Sequence, residues 1–194
     1  NDTYGLLAAW RIGRGWKPID EPQPVTPEQR AALDATPAFL RAREAWQTGF
    51  KSIASLEWAA TLDTAPASTK SALVREAAAM GWYDQAIVTG TKLGLFRDLE
   101  VLFPRPHAEL VKKAAEDSGI PAAWIYSVMR KESAFKPDAT SSAGALGLLQ
   151  MMPGTAAMTA RAAGQPVPPA ESLKDPAVNV PLGALHLREV LDKS

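Results

Sequence analysis

Residues 121–156 read PAAWIYSVMRKESAFKPDATSSAGALGLLQMMPGTA, and this stretch decides the fold. Pro121 opens a helix, and Ile125, Val128 and Met129 recur at helical spacing along one face. The same face returns at position 132, which is a glutamate. The spacing therefore predicts a carboxyl group on the buried face of a helix, in its last turn, where the helix dipole is negative. Burial and the dipole both disfavour the charged form, leaving the protonated carboxyl that a general acid needs. On spacing alone a second reading stays open, with Glu132 solvated at a frayed end and paired to Arg130, Lys131 or Lys136. Pro137 stops the helix, and Ser141-Ser142-Ala143-Gly144 reads as a loop. Met151-Met152-Pro153 leads into a further short helix that closes near Gly164.

Working outward, Gln165 to Pro169 is a proline-rich surface loop, and a last helix starts near Asp175. Upstream, His107 to Ser118 reads as a helix with Leu110, Val111, Ala114 and Ala115 on one side and Gly119 closing it. Trp124 lies off the Ile125/Met129 stripe and is expected to pack against a neighbouring helix. The texture changes at Phe103-Pro104-Arg105-Pro106, which divides the chain into residues 1–103 and 104–194. In the first part, Arg43-Glu44-Ala45, Gly49-Phe50 and Ala54 recur as Arg75-Glu76-Ala77, Gly81-Trp82 and Ala86, each shifted by 32. Such a period belongs to helix–turn–helix solenoid units, in which each glycine ends one helix. The aromatic after each glycine is expected to pack back across the pair. Thr26, Pro27 and Gln29 form a capping-box start, and Thr36-Pro37 repeats the signal. Gly15, Pro18, Pro22, Pro24 and Pro27 make a connector behind a short helix from about Thr3 to Arg11. Strand-like alternation is absent from this part. The expected class is all-α: an α-solenoid-like segment followed by a predominantly helical domain.

The 194 residues carry 21 basic and 21 acidic side chains, so the formal charge is zero. A nucleic-acid binder would usually carry a basic surplus, and none is expected to bind. There are no cysteines, which removes disulfides, thiolate metal sites and thiol nucleophiles together. The two histidines, His107 and His186, lack companion motifs, so neither a metal nor another cofactor is expected. No stretch has the length of uncharged apolar sequence that a membrane helix needs. The sequence starts at Asn1, with no initiator Met, and is expected to be a mature or trimmed piece of a longer protein whose targeting signal is already lost.

Glu132-Ser133, the run Gly147-Leu148-Leu149-Gln150, the following Met152-Pro153-Gly154-Thr155-Ala156 and the later Ala177-Val178-Asn179-Val180 appear in order. In these motifs the chain resembles the soluble lytic transglycosylases, lysozyme-like enzymes that cleave peptidoglycan. The likeness spans about residues 108–190, and the region before it resembles the helical superhelix that precedes the catalytic domain in the large members. The family's usual Met is Leu149 here, a near-isosteric apolar exchange. The family's Ala-Tyr-Asn-Ala-Gly motif lies further downstream, and the chain stops at Ser194 before it. The catalytic domain is thus expected to be incomplete at its C-terminus and impaired on its own.

The resemblance implies Glu132 as catalytic acid and then base. It implies Ser133, Gly147, Leu149, Gln150, Met151 and Asn179 at the substrate-binding site. Each has a plainer reading beside it: Ser133 and Asn179 can bond backbone, Gly147 can make a turn, and Met151 can pack. The implied substrate is the peptidoglycan glycan strand, cleaved in the periplasm between MurNAc and GlcNAc without water, leaving 1,6-anhydroMurNAc ends. Cell-envelope proteins are conceivable further partners. A hydrolytic glycosidase normally uses two carboxylates, and the nearest to Glu132 along the sequence is Asp138, in a Lys-Pro-Asp turn. Two other readings stand: a lysozyme-type hydrolase on the same fold, and an inert envelope scaffold.

Overall fold

The computed structural model describes residues 11–13 and 19–193. The expected helix from Thr3 to Arg11 lies almost wholly outside the described residues, and residues 19–26 carry no regular structure. Helices dominate what is described; pairing between extended residues is limited to the isolated bridges Thr140–Leu146 and Leu146–Met151. The all-α expectation is met. The chain forms two compact units, one ending at Pro104 and one starting at Arg105.

The first unit holds α1 (Pro27–Asp34), α2 (Pro37–Gln47), α3 (Lys51–Thr64), α4 (Ala67–Ala79), α5 (Tyr83–Lys92) and the single turn α6 (Leu99–Leu102). Thr26 and Gln29 close the expected capping box on α1. The repeat is structural. Helix α2 pairs with α3 and α4 with α5, and the bounds of the second pair follow the first by the predicted 32 residues at the intervening turn. Both turns are wired alike: Phe50 N donates to Ala45 O and Trp82 N to Ala77 O, each at 2.8 Å, across Gly49 and Gly81 in the left-handed region. Small residues Ala45, Ala54, Ala77 and Ala86 are all buried, which brings the paired helices close.

The aromatics after the two glycines behave differently. Trp82 packs back as expected: it is buried, stacks on Trp46 with centroids 4.5 Å apart, and meets Trp58 at 5.3 Å. Phe50 instead stays 62% exposed. The cause is register: the second helix pair of the repeat packs beside the first, so Trp82 finds Trp46 next to it. Trp46 also donates its indole N–H to Met80 O at 3.0 Å, tying the end of α2 to the end of α4. Arg75 adds a bidentate pair to buried Asp98 at 2.9 and 2.7 Å, joining α4 to the turn that α6 follows.

The second unit contains α7 (Ala108–Ser118), α8 (Ala122–Ser133), α9 (Pro153–Ala162), a 3-10 turn (Ala170–Lys174) and α10 (Pro176–Asp192). Helix α10 is the hub, packing on α7, α9 and the 3-10 turn. Asp175 caps it by accepting from Ala177 N at 2.9 Å, and Pro176 sits in its first turn, where no donor is missed. Val111, Ile125, Met129, Leu148, Ala160, Leu173 and Val180 are buried together in this unit's core. Trp124, expected to pack against a neighbouring helix, is instead 53% exposed.

Candidate active site

Helix α8 ends earlier than Pro137 would require. Ala134 and Phe135 take left-handed backbone at φ 48° and 66°, and the chain turns under itself there. Phe135 then turns inward: it is 4% exposed and meets Tyr126 edge-on at 6.4 Å. Glu132 is therefore exposed at the helix end, and the expected burial of its carboxyl is corrected.

The glutamate stands at the end of a tightly tied segment. Ser133 Oγ lies 2.9 Å from both Met129 O and Leu148 O, and accepts from Phe135 N at 3.1 Å. One hydroxyl thus ends the helix, fixes the left-handed turn and docks the 141–152 loop. Basic Arg130 and Lys131 occupy the last turn, where they offset the dipole's negative end. Burial lowers the Arg130 guanidinium from its ordinary value. Desolvation raises the Tyr126 phenol, which donates to Pro106 O at 3.2 Å, with the Arg105 charge opposing.

The loop itself is held at every backbone turn. Leu146 and Met151 exchange paired bonds at 3.0 Å, and Gly147 N donates to Ala139 O at 2.9 Å. Gln150 sits at φ 46°, and its amide donates to Ala139 O at 3.2 Å and Gly147 O at 2.9 Å. Its amide is thus engaged in holding the loop. Leu149 and Met151 are buried, whereas Met152 is 42% exposed.

Asn179 is fully buried on α10 and clamps the loop from below. Its Oδ1 accepts from Leu149 N at 2.8 Å, while Nδ2 donates to Leu146 O at 2.9 Å and Leu173 O at 2.8 Å. Gly147 at φ 77° sits against this clamp: a Cβ there would lie 2.1 Å from Leu173 O and 2.4 Å from Asn179 Nδ2. The structure thus ties Ser133, Gly147, Leu149, Gln150, Met151 and Asn179 into one hydrogen-bonded loop and clamp, with Glu132 exposed beside Ser133 at the end of α8. Sequence reasoning missed Leu148, whose carbonyl faces Ser133, and Gly183, one turn beyond Asn179.

Residues 109–194 match the Transglycosylase SLT domain, and residues 32–99 the Soluble lytic murein transglycosylase L domain. The soluble lytic murein transglycosylase of Escherichia coli K12 is 32% identical over 190 residues, covering 96% of this chain and 29% of that protein. A solved inactive Glu-to-Gln mutant of the lytic transglycosylase Slt from Pseudomonas aeruginosa aligns at TM-score 0.92 and 33% identity, over 99% of this chain and 31% of that one. The 70 kDa soluble lytic transglycosylase of Escherichia coli aligns at TM-score 0.86 and 29% identity, over 98% of this chain and 31% of that one. The chain spans about a third of the length of the relatives it matches.

Proposed function

The chain belongs to the soluble lytic transglycosylase family, and from that premise we propose that it cleaves the bond between MurNAc and GlcNAc in peptidoglycan without water. The observation that carries this reading is the mounting of Glu132: a solvent-facing carboxyl on a segment whose neighbours are all hydrogen-bonded in place. In the reaction, the Glu132 carboxyl gives its proton to the bridging oxygen as the bond from C1 breaks, releasing the GlcNAc 4-hydroxyl. The carboxylate then takes the proton of the MurNAc C6 hydroxyl, whose oxygen bonds C1 and closes the 1,6-anhydro ring. The proton is returned and no water is consumed. General acid–base assistance of this kind is worth roughly 10²–10⁴ in rate. One carboxyl suffices because the substrate supplies its own nucleophile. That a Glu-to-Gln mutant of the Pseudomonas aeruginosa relative is inactive agrees with such a dependence.

Ser133, Gly147, Leu149, Gln150, Met151 and Asn179 serve in this proposal by fixing the wall beside Glu132. Peptidoglycan lies outside the cytoplasm, so the proposal places the protein in the periplasm. No helix among the described residues is long and apolar enough to cross a membrane. Cell-envelope proteins are proposed as further partners.

Mass spectrometry of muropeptides from digested sacculi tests the reading with the full-length protein. Anhydro ends are expected; reducing ends would mark a hydrolase, and intact sacculi an inert scaffold. Ser133→Ala is expected to lose about 1 kcal/mol of stability, the usual net worth of a side-chain hydrogen bond, and to slow turnover severalfold. Chemical denaturation with parallel turnover assays measures both, and unchanged turnover would show that the tether to Leu148 O does not matter.

A further inference from the structure

We propose that Gly183 is a positioning residue for the reaction, acting on Glu132 through Leu149. The proposal rests on the reading of Glu132 given above. Leu149 is gripped at both ends by one face of α10. Asn179 accepts its amide at 2.8 Å, and one turn later Gly183 leaves a hollow for its side chain. A Cβ at Gly183 would lie 2.2 Å from Leu149 Cδ1, 2.9 Å from Cβ and 3.1 Å from Cγ. Contacts under about 3 Å do not occur between carbons at rest, so an alanine there must displace Leu149 or the helix. Gly183 is itself buried inside helix α10, two residues after the internal Pro181. A glycine in that setting costs about 1 kcal/mol relative to alanine, and close approach of Leu149 explains its presence.

Displacement of Leu149 reaches the catalytic helix in two steps. The preceding residue, Leu148, is fully buried and faces its carbonyl to Ser133 Oγ at 2.9 Å. Ser133 follows Glu132 directly and accepts from Phe135 N. A shift of the loop by about the added methyl's overlap therefore breaks or bends the bond that orients the end of α8. Misplacement near 1 Å can cost on the order of 10²-fold in rate. Helix α10 thus sets the depth at which the loop sits, and the loop sets the pose of the glutamate.

The test compares full-length wild type, Gly183→Ala, Leu149→Ala and the double variant. Three quantities are read: turnover on sacculi, co-sedimentation with sacculi, and hydrogen exchange at the Leu149 and Phe135 amides. Gly183→Ala is expected to lose tenfold or more in turnover, to bind sacculi within twofold of wild type, and to exchange faster at both amides. Leu149→Ala removes the atoms that would meet the new methyl at 2.2 and 3.1 Å and leaves only Cβ at 2.9 Å, a contact that a shift of a few tenths of an ångström relieves. The double variant should therefore lose clearly less than the product of the two single losses, the mark of direct coupling. Independent, multiplying losses would overturn the proposal, as would a folded Gly183→Ala enzyme within threefold of wild type. If Gly183→Ala does not fold, the double variant must fold and turn over; failure there overturns the proposal too. If wild type yields no anhydro ends, the functional reading fails, and exchange still decides: an unchanged Phe135 amide in Gly183→Ala refutes the coupling.

Discussion

Glu132→Gln in the full-length protein is expected to lose on the order of 10²–10⁴ in turnover, the usual worth of a positioned acid and base. Glutamine keeps the shape of the side chain and has no proton to deliver or accept in exchange. Because Glu132 is exposed, the substitution removes no buried contact, and stability should stay within about 0.5 kcal/mol. The comparison is a sacculus digestion assay beside a thermal melt. Activity within tenfold of wild type at an unchanged melting temperature would remove Glu132 from its assigned role. A large drop in melting temperature would instead make it a structural carboxylate.

Gly147→Ala is expected to be the most damaging single methyl in the second unit. The left-handed backbone at φ 77° costs an alanine about 1–2 kcal/mol, and the methyl would collide with Leu173 O and Asn179 Nδ2. Overpacking of that sort costs a further 1–3 kcal/mol or so. Together these give a loss of about 2–5 kcal/mol, a large share of a domain's stability. Gly144→Ala is the control: it has a similar backbone at φ 88° and nothing within 4 Å of a Cβ. It should pay the backbone cost alone. Urea denaturation of the two variants separates the terms, and equal losses would mean that the Asn179 clamp is softer than its three hydrogen bonds imply.

The helical class, the repeat and the motif order were all legible in the sequence because each rests on short-range signals. The prolines opening α1, α2, α9 and α10 mark their own helix starts, and the Gly49 and Gly81 turns announce the 32-residue period. The pose of Glu132 was not legible. Helical counting continues a stripe as though the helix went on, but Ala134 and Phe135 leave it through left-handed backbone that neither residue type favours. Packing against Tyr126, the Ser133 bridge and backbone bonds to Arg130 O and Met129 O hold that turn. The different fates of Phe50 and Trp82 have a similar origin, since the repeat gives equivalent positions while stacking buries only one. Gly183 escaped notice although a small residue four after Asn179, on one helix face, was a usable signal.

The central claim is that the substrate's own C6 hydroxyl closes on C1, with Glu132 moving the proton. Digestion of sacculi by the full-length protein in oxygen-18-enriched water tests it most directly. The account predicts new MurNAc termini that are one water lighter than hydrolytic ones and carry no label. Termini of full mass bearing the heavy oxygen would mean that water is the nucleophile, and would contradict the account.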